Sequence, residues 1–298
     1  MNQHGITHSA RIKTYPDGTV DVLIASSPIF RESGWEERKK GKGRKPVAVI
    51  DCEASDIMEM SMYAMEREEE RAAAAAVDSV QRAKRRARNM VHDYAMSTPF
   101  KYFVTLTLNG DKVDRYDMAA VTKALNQWAD NQVRRKGLAY VLVPELHRDG
   151  AVHFHGFFND ALPVVDSGTM IPPGGGKPKR PRSKAQRDAW VTEGGRIVYN
   201  LPGWTLGFTT AIALYGERSA AVGYVCKYIS KAQTKVGGRW YYSGGDLKLP
   251  DVLLADLNLE EVKEQYGSQC HEFEVQSLAG VRFCAVRLKG ETNESVCN

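Results

Sequence analysis

The sequence predicts an α+β fold with antiparallel strands, on three observations. Strand-like and helix-like periodicities follow one another from residue 101 to 231 in the order strand, helix, hairpin, strand, helix. An Asp149-Gly150 pair separates two apolar runs, which is a strong hairpin signal. A length of 298 residues with 43% hydrophobic side chains is enough to bury a core in one large domain or two ordinary ones.

The N-terminal part opens with a short alternating run, Thr19 to Ile24, that suits an edge strand. A charged patch follows at 36–45, read as a solvated loop or arm. From about Asp56 to Met96 the composition is helical, and no proline interrupts it. Its segment Gln81 to Met90 contains Arg85 and Arg86 among five basic residues and no acid. Such a helix is either a solvated face or a phosphate-binding one. Thr98-Pro99 should end it, because the residue before proline is pushed out of the helical region.

Lys101 to Leu108 reads as a strand with Tyr102, Val104, Leu106 and Leu108 on one face and Phe103, Thr105 and Thr107 on the other. A helix is expected from Asp117 to Lys136, with Gly137 as its C-cap. Leu138 to Leu146 is the next strand. It turns at 148–150 into Ala151 to Phe158, which carries His153-Phe154-His155. Residues i and i+2 of a strand face the same way, so both imidazoles share a face, and two imidazoles make half a metal site. The bland alternative is two surface histidines on a half-buried strand. A two-residue turn would set Glu145 opposite Phe154, on the wrong face. A three-residue loop or a bulge at Gly150 would set Glu145 opposite His155 and His147 opposite His153.

Residues 161–205 form a long insertion with a Pro172 to Gly176 breaker cluster. Lys179, Arg180 and Arg182 follow within an acid-free stretch, and a mobile basic loop closing on a polyanion is expected. Further strands are expected at 205–214, 239–242, 271–276 and 281–288. Helices are expected at 219–231, capped by Ser219, and at 257–266. In the first of these, Val222, Val225, Cys226 and Ile229 gather on one stripe. Tyr224, Lys227, Tyr228 and Lys231 gather on another, with the tyrosines neighbours at i and i+4. Packing tyrosines beside solvated lysines would look the same. The functional reading is phosphodiester transesterification onto tyrosine. A cation on the scissile phosphate and a lysine beside the phenol would offset a phenol pKa near 10.

These three stretches, Phe103 to Leu108, His153 to Gly156 and Tyr224 to Lys231, resemble the ordered motifs of HUH-type rolling-circle replication initiators. The resemblance is greatest to the two-tyrosine Rep proteins of phages and bacterial mobile elements, and it runs from about Phe100 to Lys231. It implies an antiparallel sheet with helices on one face, a ferredoxin-like palm. It implies a nicking domain at 98–290, preceded by an N-terminal region at 1–97 and followed by a tail at 291–298. His153 and His155 would ligate Mg²⁺ or Mn²⁺, with Glu145 as the acidic third ligand and His147 as its runner-up. Tyr224 would be the first nucleophile, leaving a 5′-phosphotyrosine. Tyr228 would be the second, and Lys227 would stabilise charge. Thr105, Thr107 and Lys231 would lie near the DNA. Single-stranded origin DNA is the implied substrate.

No G-x-x-x-x-G-K-[ST] loop occurs, so a host helicase, with a host polymerase, is the expected partner. No apolar run is long enough for a membrane, and five cysteines (Cys52, Cys226, Cys270, Cys284, Cys297) without a C-x-x-C pair suit reduced thiols in a bacterial cytoplasm. Two other functions remain open: a non-catalytic origin-binding replication or repressor module, and a metal-dependent phosphoesterase using water.

Overall fold

The structure is a computed structural model that describes residues 6–31, 79–214, 218–274, 278 and 280–289. The charged patch at 36–45, the first part of the expected long helix, Cys52, Cys297 and the tail at 291–298 lie outside the described residues. In chain order the elements begin with strands β1 (Thr7–His8), β2 (Ala10–Thr14), β3 (Val20–Ala25) and β4 (Phe30–Arg31), then helix α1 over residues 79–97. Next come β5 (Tyr102–Leu108), α2 (Met118–Lys136), β6 (Tyr140–Leu146), β7 (Val152–Phe158), β8 (Val165–Ile171), α3 (Lys184–Thr192), β9 (Arg196–Asn200) and β10 (Gly207–Ala213). The chain continues through α4 (Ser219–Lys231), β11 (Tyr242–Gly244), β12 (Asp251–Ala255), α5 (Leu259–Tyr266), β13 (His271–Glu274) and β14 (Arg282–Leu288).

These elements form two compact units. One holds the described residues of 6–14, 18–31, 79–83 and 252–289, and the other those of 15–17 and 84–251. The first unit has a five-stranded sheet ordered β12-β2-β3-β14-β13. Its core gathers Ala10, Ile24, Leu259, Cys284 and Val286. The span 98–290 read from the sequence therefore contributes to both units, since β13 and β14 join a sheet with N-terminal strands. The 19–24 run is not an edge strand. β3 is paired on both sides, with β2 and with β14. Its partners come from distant stretches that a local pattern cannot reveal.

The second unit carries a seven-stranded sheet ordered β11-β6-β7-β5-β10-β9-β8, and every neighbouring pair is antiparallel. The α+β antiparallel class expected from the sequence is the one observed, and it is consistent with an HUH-like fold. The helices do not all lie on one face, however. α2 buries Val121, Leu125 and Trp128 against Val104, Leu106, Phe154 and Phe158. α4 lies along β6 and sets its tyrosines over the opposite face. That second face also carries Phe103 and Phe157, which need apolar cover. α2 starts and stops where its sequence says. The Asp117 side chain accepts from the amides of Ala119 and Ala120, and Gly137 adopts the left-handed conformation at φ 71.

The 161–205 insertion is not a mobile basic loop. β8 and β9 extend the sheet, and α3 is capped by the Ser183 side chain. Lys179 is tied through its backbone to Met170. The polar composition of β8 and the Pro-Gly cluster after it conceal a strand that is stabilised by its neighbour. Ser219 is not the cap of α4 either. Arg218 already has helical angles (φ −73, ψ −22), and its guanidinium donates to the Thr98 carbonyl instead. The strand expected at 239–242 forms at 242–244, after a tight turn that pairs Val236 with Arg239.

Candidate active site

The site is built on β5, β6 and β7 at the middle of the sheet, with α4 above them. The hairpin between β6 and β7 fixes the register. Gly150, at φ 86, closes the loop by donating from its amide to the His147 carbonyl, and the His147 amide donates to the Ala151 carbonyl. Three residues therefore form the loop, and Gly150 takes the left-handed position that such a turn requires. Glu145 falls opposite His153, and Val143 opposite His155. The face is the one the longer turn demands. The pairing, however, is displaced by two residues from the expected one, because the ladder closes at His147–Ala151 and not at His147–His153.

On β5, Thr105 is opposite His155 and Thr107 opposite His153. Each hydroxyl is hydrogen-bonded to the Nδ1 of its partner, at 3.1 Å for Thr105 and 3.2 Å for Thr107. The two threonines thus hold the imidazoles in orientation and leave each Nε2 facing outward. The Nε2–H of His155 donates to Glu145 Oε2 at 2.7 Å, a diagonal reach across the hairpin. The proton on Nε2 makes the Thr105 hydroxyl the donor to Nδ1. His147 stacks on His153 at 3.7 Å between ring centroids.

Burial is the largest influence on both histidines and pushes their pKa values down. For His153 the neighbouring His147 and His155 add to this, against Glu145. For His155 the hydrogen bond and charge of Glu145 oppose the shift without overcoming it.

α4 segregates as its periodicity requires, with Val222, Val225, Cys226 and Ile229 buried. The ring of Tyr228 lies flat on that of His155, 4.5 Å between centroids and 4° between planes. Its hydroxyl donates to the hydroxyl of Tyr224 at 2.6 Å. Tyr224 in turn meets Phe103 edge-on at 5.9 Å and remains 48% exposed. Burial, then the Tyr224 hydrogen bond, then the charge of Glu145 hold the Tyr228 phenol well above its ordinary pKa. Lys227 and Lys231 are exposed on the same helix.

The structure thus brings together His153, His155, Glu145, Thr105, Thr107, Tyr224 and Tyr228. Of the expected basic contacts, Arg85 and Arg86 are exposed on α1, and Lys179, Arg180 and Arg182 are exposed between β8 and α3. Phe103 was not anticipated as a site residue. Its alternation with Thr105 and Thr107 was the available signal. Among the described residues, no group of three or more His, Cys, Asp or Glu side chains is arranged to hold a metal ion. The three expected ligands share a face without converging, since Glu145 is engaged with His155 and His153 with His147.

An antiparallel sheet bearing paired histidines beneath a two-tyrosine helix defines a class of replication proteins, and the comparison with known families agrees. Residues 101–233, somewhat under half of the chain, match a family model of replication-associated proteins, the one that groups the ORF2 and gene-2 proteins. The matched stretch contains every strand and helix of the site, and it is consistent with a Rep-type replication initiator. No curated protein and no solved structure matches the chain. The family ties the chain to DNA replication and to DNA as its partner. Among the described residues, no helix is long and apolar enough to cross a membrane.

Proposed function

We propose that the chain nicks and rejoins single-stranded origin DNA to start rolling-circle replication, using a tyrosine of α4 as the nucleophile. The observation that carries this reading is the stack of Tyr228 on His155 with its hydroxyl bonded to that of Tyr224. It places two phenols beside the imidazole pair. In the reaction, the Tyr224 oxygen attacks phosphorus and loses its proton. The bond from phosphorus to the 3′ oxygen breaks, and that oxygen takes up a proton. The products are a 5′-phosphotyrosine and a free 3′-hydroxyl. The Tyr228 hydroxyl donates to the Tyr224 oxygen, which stabilises that oxygen as it loses its proton. The raised Tyr228 pKa keeps that donor protonated. Tyr228 then serves as acceptor in a second transfer.

Two imidazoles and a carboxylate are donors that suit Mg²⁺ or Mn²⁺, and both imidazoles are already braced at Nδ1 by threonine hydroxyls. His153, His155 and Glu145 would hold the ion. When bound, it would draw charge from the scissile phosphate. Freeing Nε2 of His155 requires the Glu145 hydrogen bond to open and the ring proton to move to Nδ1. The Thr105 hydroxyl accommodates this by turning from donor to acceptor. Lys227 and Lys231 line the α4 face over which the phosphate backbone would pass. The cells expected to provide the helicase and polymerase are bacterial.

The test is incubation of the full chain with labelled single-stranded origin DNA and Mn²⁺, followed by a denaturing gel. A protein-linked band that EDTA abolishes supports the reading. Binding without any such band leaves an origin-binding module, and turnover without it a water-using phosphoesterase.

A further inference from the structure

The most exposed large apolar side chain among the described residues is Phe208, at 68%. Single exposed apolar residues are ordinary on protein surfaces, so exposure alone says little. Its position says more. Phe208 is opposite Thr107, Thr107 is opposite His153, and His153 is opposite Glu145. Directly opposed residues of antiparallel strands share a face. One row across β6, β7, β5 and β10 therefore reads Glu145, His153, Thr107, Phe208. At about 4.8 Å between strands, Phe208 stands roughly 10 Å from His153, backbone to backbone. α4 covers β6, at the opposite end of this row.

The perch is rigid. β10 pairs with β5 through all seven of its residues. Gly207 approaches β5 so closely that a Cβ there would lie 2.1 Å from the Thr107 carbonyl oxygen. Around the ring the floor consists of small hydroxyl side chains, Thr107 and Thr210. At the same end of β10 the Lys112 ammonium is anchored to the Thr205 carbonyl at 2.8 Å and has further N–H groups to offer. A flat ring with a fixed cation beside it suits an unpaired base and its phosphate.

We propose that Phe208 is a stacking platform for one nucleobase of single-stranded DNA, positioning the strand across the histidine pair; this rests on the nicking reading above. The test measures binding of a fluorescein-labelled dT20 oligonucleotide and of a 20-base-pair duplex to the full wild-type chain, Phe208→Ala and Phe208→Trp. Loss of one stacked base should weaken dT20 binding of Phe208→Ala by roughly tenfold. Duplex affinity and the salt slope should be unchanged, because no phosphate contact is removed. Phe208→Trp should bind dT20 as the wild type does. Equal dT20 affinity for wild type and Phe208→Ala overturns the inference alone, as does an equal loss on dT20 and duplex. A wild-type chain that does not bind dT20 at all overturns both the inference and the nicking reading.

Discussion

The Tyr228 ring lies parallel to the His155 ring, 4.5 Å away, so the only stacked contact between α4 and the histidine strand recorded among the described residues is made by a candidate nucleophile. The same tyrosine donates its hydroxyl to Tyr224. The two phenols are therefore inequivalent: one is braced and held protonated, the other is nearer to solvent and receives a hydrogen bond. Tyr224→Phe should abolish adduct formation in a single-turnover assay on single-stranded DNA. Tyr228→Phe should slow it by roughly 10-fold, the worth of about one charge-assisted hydrogen bond, without abolishing it. The reverse order of severity would show that Tyr228 acts first.

Thr105 and Thr107 hold the imidazoles at Nδ1. Removing either hydroxyl should lower Mn²⁺ affinity roughly 10- to 100-fold, as loss of a histidine's orienting partner generally does. Isothermal titration of Thr105→Ala and Thr107→Ala measures this, and Thr→Ser at the same positions should restore binding. Unchanged affinity in both alanine variants would mean that the threonines do not prepare a metal site.

Burial lowers the pKa of both His153 and His155. Below the ordinary histidine value of about 6.5 the unfolded chain takes up protons that the folded chain refuses. Protonation thus favours unfolding, and the metal-free protein should lose stability as pH falls through that window, with the loss ending once the folded-state values are passed. Thermal unfolding between pH 7.5 and 5 checks this, and His153→Gln should flatten the dependence. Mn²⁺ binding should persist to lower pH than for an ordinary histidine pair, because the ligand nitrogens remain neutral.

Gly156 follows the second histidine and sits between Val104 and Leu142 in the sheet. A Cβ there would come 1.8 Å from the Val141 carbonyl oxygen. Gly156→Ala should destabilise the fold by about 3 kcal/mol, at the upper end for overpacking, and displace His155 with it. Urea unfolding reports the first effect and Mn²⁺ titration the second.

How far the sequence could be read depended on whether its signals were local. The caps of α2 at Asp117 and Gly137, the turn glycine at Gly150 and the buried stripe of α4 are written within one or two turns of chain, and they fold as read. The shared face of His153 and His155 follows from strand alternation alone. The exact partner of Glu145 did not follow, because register depends on where the ladder closes, a matter of one hydrogen-bonded pair at His147. β8 and β9 were hidden because Val165 to Ile171 is polar for a strand and takes its stability from a neighbour about 30 residues onward. The place of β3 was hidden for the same reason, since β14 lies at the other end of the chain. Phe208 drew no notice in the sequence because its meaning lies in a row that crosses four strands.

The most direct measurement is mass mapping of the protein–DNA adduct after proteolysis. The expected result is a nucleotide attached through phosphate to the α4 peptide at Tyr224, formed only with a divalent cation, and no adduct from the Tyr224→Phe/Tyr228→Phe double variant. An adduct that persists in the double variant, or cleavage with no covalent product, would contradict tyrosine transesterification.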